Sequence, residues 1–158
     1  MRAAEKAERR AQNVSVAALT RRGMSVAELR DRLAERGIEP DEVESEIARL
    51  QDARYLDDAS LAVSVVRAES ERKGKGRSAV AAELRRRRVD DAAIEAALES
   101  LDDEGELERA VAVAEQRARQ LRSYDAETAR RRLYGFLQRR GFSGSVVSRA
   151  VDTALASD

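Results

Sequence analysis

Residues 55–101 read YLDDASLAVSVVRAESERKGKGRSAVAAELRRRRVDDAAIEAALESL. The stretch punctuates itself. Tyr55-Leu56-Asp57-Asp58 precedes an amphipathic segment from Leu61 to Arg72, with Asp57 or Asp58 as its cap and Leu61, Val65 and Val66 facing inward. Lys73-Gly74-Lys75-Gly76-Arg77-Ser78 is a basic turn broken by glycine, and Val80 and Leu84 mark a second helix that ends in Arg85–Arg88. After Val89 an acidic helix, capped by Asp90, carries Ile94, Leu98 and Leu101. Helix, basic turn, basic helix, short turn and acidic helix form one module.

The flanking sequence repeats it. Superposing Ile38, Val89 and Phe142 brings Leu29, Val80 and Leu133 together nine positions earlier, and Leu33, Leu84 and Leu137 five positions earlier. Five positions later stand Val43, Ile94 and Val147; nine later stand Ile47, Leu98 and Val151. Glu39, Asp90 and Ser143, all able to cap, follow the anchor directly, and Arg36, Arg87 and Arg140 precede it by two. The anchors are 51 and 53 residues apart. Units this small bury an apolar face only by stacking on neighbours. The expected fold is all-α: three tandem three-helix repeats in an elongated, curved array, over residues 13–54, 55–103 and 104–158. Residues 1–12 are expected to be a charged tail, the first helix to run from Val14 to Arg22 on Val16 and Leu19, and Gly23 to end it. Ser25 and Glu28 have the spacing of a capping box. Pro40 suits a first helical position. A longer helix from Glu104 is expected to bury Leu107, Val111 and Ala114. Gly74, Gly76 and Gly105 read as hinges, and Tyr55 as an aromatic packed at a helix junction.

Composition narrows the function. The chain has 158 residues, no Cys, no His and no Trp, and its 30 basic residues balance 30 acidic ones. Without Cys or His there is no nucleophile–imidazole pair and no soft metal ligand. The expectation is a non-enzyme with no cofactor and no metal. There is neither a disulfide framework nor an apolar run long enough for a membrane, and the first residues lack a signal peptide's apolar core, which points to the cytoplasm.

Charge is segregated. Residues 67–88 carry nine basic and three acidic side chains, residues 89–108 nine acidic and no basic ones, and residues 117–140 eight basic and two acidic ones. Such helices can simply pair and solubilise one another, or they can present a surface to a partner. Four successive Arg point all round a helix, so one neighbour cannot pair with all of Arg85–Arg88. Arg87 lies beside the Val80–Leu84 stripe and is expected to be structural; Arg85 and Arg86 point away from it. The candidate partner- or DNA-binding residues are Lys73, Lys75, Arg77, Arg85, Arg86, Arg130, Arg131 and Arg139. Lys73-Gly74-Lys75-Gly76 lacks P-loop spacing and reads as a turn rather than a phosphate cradle.

Tyr55-Leu56-Asp57-Asp58, the amphipathic helix, Lys73-Gly74, Glu83-Leu84 and Val89-Asp90-Asp91 together resemble the signature of the RecX regulatory family. Two positions depart from it: Leu61 stands where an aromatic residue is common, and Arg88 stands where the other repeats have Gly37 and Gly141. The resemblance implies a regulator of the RecA recombinase that lies in the groove of the RecA filament on single-stranded DNA and inhibits strand exchange and ATP hydrolysis; the chain is expected to be a monomer. A direct DNA- or RNA-binding repeat protein and a protein-only scaffold are the alternatives that the residues leave open.

Overall fold

The computed structural model describes residues 2–156, and regular structure among them is helical throughout. In chain order the helices are α1 (Arg2–Arg21), α2 (Val26–Glu35), α3 (Pro40–Asp52), α4 (Asp58–Arg67), α5 (Arg77–Arg86), α6 (Asp91–Leu98), α7 (Asp103–Arg119), α8 (Ala126–Arg139) and α9 (Gly144–Ala156). A π-helical turn, Ala68–Arg72, prolongs α4. The chain forms two compact units. One holds the chain up to Val63 together with Leu84–Ile94; the other holds Ser64–Glu83 and the chain from Glu95. The middle three helices therefore contribute to both. In the first unit α1, α2 and α3 pack on one another; in the second, α7, α8 and α9 do.

Every apolar position of the repeat is buried. Leu29, Leu33, Val80, Leu84, Leu133 and Leu137 have no exposed surface, and the anchors Ile38, Val89 and Phe142 are buried with the helices that follow them. Burying a leucine or valine is worth about 1.5–3 kcal/mol, so these positions supply much of each core. The second helix of each group stops in the same way. Gly37, Arg88 and Gly141 all take left-handed backbone, at φ 77°, 56° and 92°. The next N–H then reaches back to the leucine five residues earlier: Ile38 to Leu33, Val89 to Leu84, and Phe142 to Leu137. This is a Schellman stop, which turns the apolar anchor inward. Arg88 adopts the glycine conformation although it carries a side chain, at a cost that L residues ordinarily avoid.

Helix starts follow the local sequence. Ser25 and Glu28 form the reciprocal capping box, Pro40 sits at the first position of α3, and Asp57, Asp102 and Asp125 accept N–H groups at the starts of α4, α7 and α8. Glu39 precedes α3 without a side-chain cap bond.

Several expectations are corrected. Residues 2–12 belong to α1 rather than to a tail. The buried face of α1 is Ala11, Ser15 and Ala18, whereas Val16 is 60% exposed. Similarly α7 buries Ala110, Ala114 and Ala118, leaving Leu107 and Val111 half-buried. Small side chains face the core where helices approach closely, so larger apolar residues are displaced to the rim. Tyr55 is 73% exposed, because Arg54 takes φ 61° and turns Leu56 into the core in its place. Gly105 lies within the first turn of α7, its N–H held by Asp102 at 2.7 Å.

Candidate partner-binding surface

The π turn sets the geometry of the basic loop. It turns Glu69 and Ser70 inward, and the Ser70 hydroxyl donates to the Val66 carbonyl at 2.6 Å. Lys73 Nζ meets one Glu69 carboxylate oxygen at 2.7 Å, and Lys75 Nζ meets the other at 2.9 Å. Burial pushes the Glu69 carboxyl up, but hydrogen bonds and charge from the two lysines outweigh it and hold the group below the usual carboxylate range.

The loop is then fastened to the turn between α8 and α9. The Gly76 N–H donates to the Arg140 carbonyl at 2.8 Å, and the Ser78 N–H donates to that of Gly141 at 3.2 Å. A Cβ on Gly76 would stand 2.5 Å from the Gly141 oxygen, so this glycine serves a close backbone approach. The Arg77 N–H donates to Glu106 at 2.8 Å and its guanidinium to the Leu101 carbonyl at 3.0 Å, while the Lys75 N–H donates to the Glu69 carbonyl. With these N–H groups committed, the loop does not form a phosphate cradle.

Lys73, Lys75 and Arg77 have the partners just named. Arg85 and Arg86 are exposed in the last turn of α5. Arg130 pairs with Asp152 on α9. Arg131 and Arg139 are exposed on α8. Arg130 and Arg139 are nine residues apart, about half a turn around a helix, so α8 does not present the two on one face. Arg87 is only 11% exposed; it donates to Glu28 at 3.1 Å and to the Gly23 carbonyl. For Glu28, burial would raise the carboxyl, but the Ser25 N–H and Arg87 hold it below its ordinary value. Sequence reading missed the arginines over Phe136, with Arg117 at 5.0 Å and Arg140 at 4.9 Å from the ring centre. The four-residue step from Phe136 to Arg140 was the available signal.

A helical array with committed loop amides and exposed arginines defines a protein of tandem three-helix repeats with basic surface. The comparisons with known proteins make that class specific. Residues 11–50, 57–98 and 104–151 match, in order, the family models described as the first, second and third three-helix domains of RecX. The chain belongs to the RecX family. It is 36% identical over 157 residues to the regulatory protein RecX of Mycolicibacterium smegmatis, covering 96% of this chain and 82% of the relative. It is 33% identical over 149 residues to that of Thermobifida fusca, covering 94% and 80%. A crystal structure of RecX from Lactobacillus salivarius shares the fold, with a TM-score of 0.86 at 22% identity over 96% of this chain and 99% of that one. Among the described residues no helix is long and apolar enough to cross a membrane.

Proposed function

We propose that this protein regulates the RecA recombinase without being an enzyme itself, as a cytoplasmic monomer that binds the RecA filament on single-stranded DNA and lowers its recombinase and ATPase activity. The supporting observation is the ordered match of all three RecX domains along one chain, since RecX-like proteins are modulators of RecA. The exposed arginines at the end of α5 suit a partner that offers phosphates and carboxylates. The test is RecA ATP hydrolysis on single-stranded DNA, titrated with this protein. The expected result is inhibition that saturates with the protein and requires the filament. Unchanged turnover, combined with salt-dependent binding to bare DNA, would favour a direct nucleic-acid binder instead.

A further inference from the structure

We propose that the groove between α1 and α2 is a docking site for the acidic, glycine-terminated end of a helix from a protein partner. The inference goes beyond the RecA reading and stands without it.

The corresponding groove in the second unit shows what such a site holds. Between α7 and α8 the turn Ser70–Gly74 of the same chain forms one wall of a cavity of about 700 Å³. There the Arg140 guanidinium donates to the Lys73 carbonyl, and Gly74 lies so close to Val113 that a Cβ would stand 2.9 Å from its methyl. This element is a helix end that closes on a glycine of positive φ; its Glu69 is held by Lys73 and Lys75, and its Glu71 lines the cavity.

The groove in the first unit is built from matching positions. The repeat places Arg36 where Arg140 stands and Arg32 where Phe136 stands. Ala11 and Ser15 on α1 are buried at the same four-residue spacing as Ala110 and Ala114 on α7, and Val14 lines this groove as Val113 lines the other. The lining of this groove comes from α1, α2 and the turns that flank them. A cavity of about 360 Å³ remains, floored by Val14, Ala17 and Met24 and rimmed by Arg21, Arg32 and Arg36, with no carboxylate in its lining. The Arg36 carbonyl, whose counterpart accepts the Gly76 N–H, is already taken by the Arg10 guanidinium. The Arg36 guanidinium itself makes no hydrogen bond or ion pair among the described residues. A docking helix end would supply the carbonyl for Arg36, a glycine over Val14 and carboxylates for Arg21 and Arg32. It would lie against this groove as Ser70–Gly74 lies against the other.

The probe is a synthetic peptide of residues 58–76 of this chain, titrated into the full-length protein by NMR. Saturable shifts are expected at the Gly37 amide and the Arg36 side-chain N–H. Arg36→Ala should weaken binding about ten-fold, the usual worth of a charge-assisted bond. Arg21→Ala, on the opposite wall, should also weaken it, and an otherwise unchanged amide spectrum would establish the fold of both variants. Peptides carrying Gly74→Ala, or Glu71→Lys, should not bind. The proposal is overturned if saturating peptide leaves Gly37 unmoved, if the altered peptides bind equally well, or if a single-stranded oligonucleotide displaces the peptide from this groove.

Discussion

The Arg87 guanidinium donates to the backbone carbonyl of Gly23, 64 positions earlier in the chain. In the second unit the Arg140 guanidinium does the same to Lys73, 67 positions earlier. The neighbouring bonds are repeated as well. The Arg87 carbonyl accepts from the Ser25 hydroxyl at 2.7 Å, as the Arg140 carbonyl accepts from the Gly76 N–H at 2.8 Å. The first N–H of α2, at Val26, goes to Asp58 at 2.9 Å, as the first N–H of α5, at Arg77, goes to Glu106 at 2.8 Å. One arginine, one helix start and one carboxylate thus form the same clamp in each unit.

Arg87 should therefore matter to the fold in a way that Arg85 does not. Its nearly buried guanidinium serves both a carbonyl and Glu28. Arg87→Ala should cost about 1.5–3 kcal/mol, the range for hydrogen bonds to charged groups. Arg85→Ala, at an exposed position, should stay within about 0.5 kcal/mol. Urea unfolding of the two variants measures the difference; equal midpoints would refute the clamp.

The three left-handed stops are not equally demanding. At Gly37 an added Cβ meets only the flexible end of Arg10 at 3.6 Å, so Gly37→Ala should cost about 1–2 kcal/mol from backbone strain. At Gly141 the Cβ would lie 2.5 Å from the backbone nitrogen and Cβ of Ala79, so Gly141→Ala should cost clearly more. Arg88→Gly removes strain but loses an exposed ion pair with Asp31, and should change stability by less than about 1 kcal/mol. In thermal melting Arg88→Gly should lose least, Gly37→Ala more and Gly141→Ala most. A Gly141→Ala protein as stable as Gly37→Ala would show that the close approach to Ala79 is absent in solution.

Leu84 is fully buried. Leu84→Ala should cost roughly 2–5 kcal/mol, from lost transfer energy and the cavity left behind. An unshifted denaturant midpoint would mean that the repeat register is wrong.

Periodicity alone located the repeat, because positions such as Leu33, Leu84 and Leu137 are large, apolar and regularly spaced. The buried faces of α1 and α7 were not legible. Alanine faces carry little hydrophobic signal, and Val16 and Leu107 attract attention without being core. Tyr55 misled for a related reason: an aromatic beside Leu56 looks like core until the left-handed Arg54 decides which of the two turns inward. Arg85, Arg86 and Arg87 were separable by helix phase. The engagement of Lys75 with Glu69 was not, because its six-residue step depends on a π turn that an ideal 3.6-residue period does not anticipate, whereas Glu69 and Lys73 have the ordinary four-residue spacing.

Glu69 links stability to pH. Its carboxyl lies below the ordinary value of 4.5 in the folded protein and returns to it on unfolding. Its contribution is complete above that ordinary value. As pH falls, the unfolded chain takes up the proton first, and the contribution is lost as pH passes through the folded value. Glu28 acts in the same direction. Glu69→Gln should be less stable at neutral pH and should show a shallower loss of urea midpoint as pH falls below the ordinary carboxyl value. A variant with the same slope as the parent would remove Glu69 from the acid response.

Arg85 and Arg86 offer the sharpest test of the partner surface. Both are exposed at the end of α5, beside the structural Arg87. Exposed ion pairs are worth about 0–1 kcal/mol, so Arg85→Glu with Arg86→Glu should leave helicity intact and melting nearly so. If these side chains meet filament phosphates or carboxylates, the double reversal should sharply weaken inhibition of RecA ATP hydrolysis. The deficit relative to the parent should widen at low salt, where attraction is least screened. Arg87→Ala is the complementary control: it should lower stability first and affect inhibition only through the fold. Full inhibition by a folded Arg85/Arg86 double variant would take the end of α5 out of the mechanism and leave the arginines of α8 as the remaining candidates.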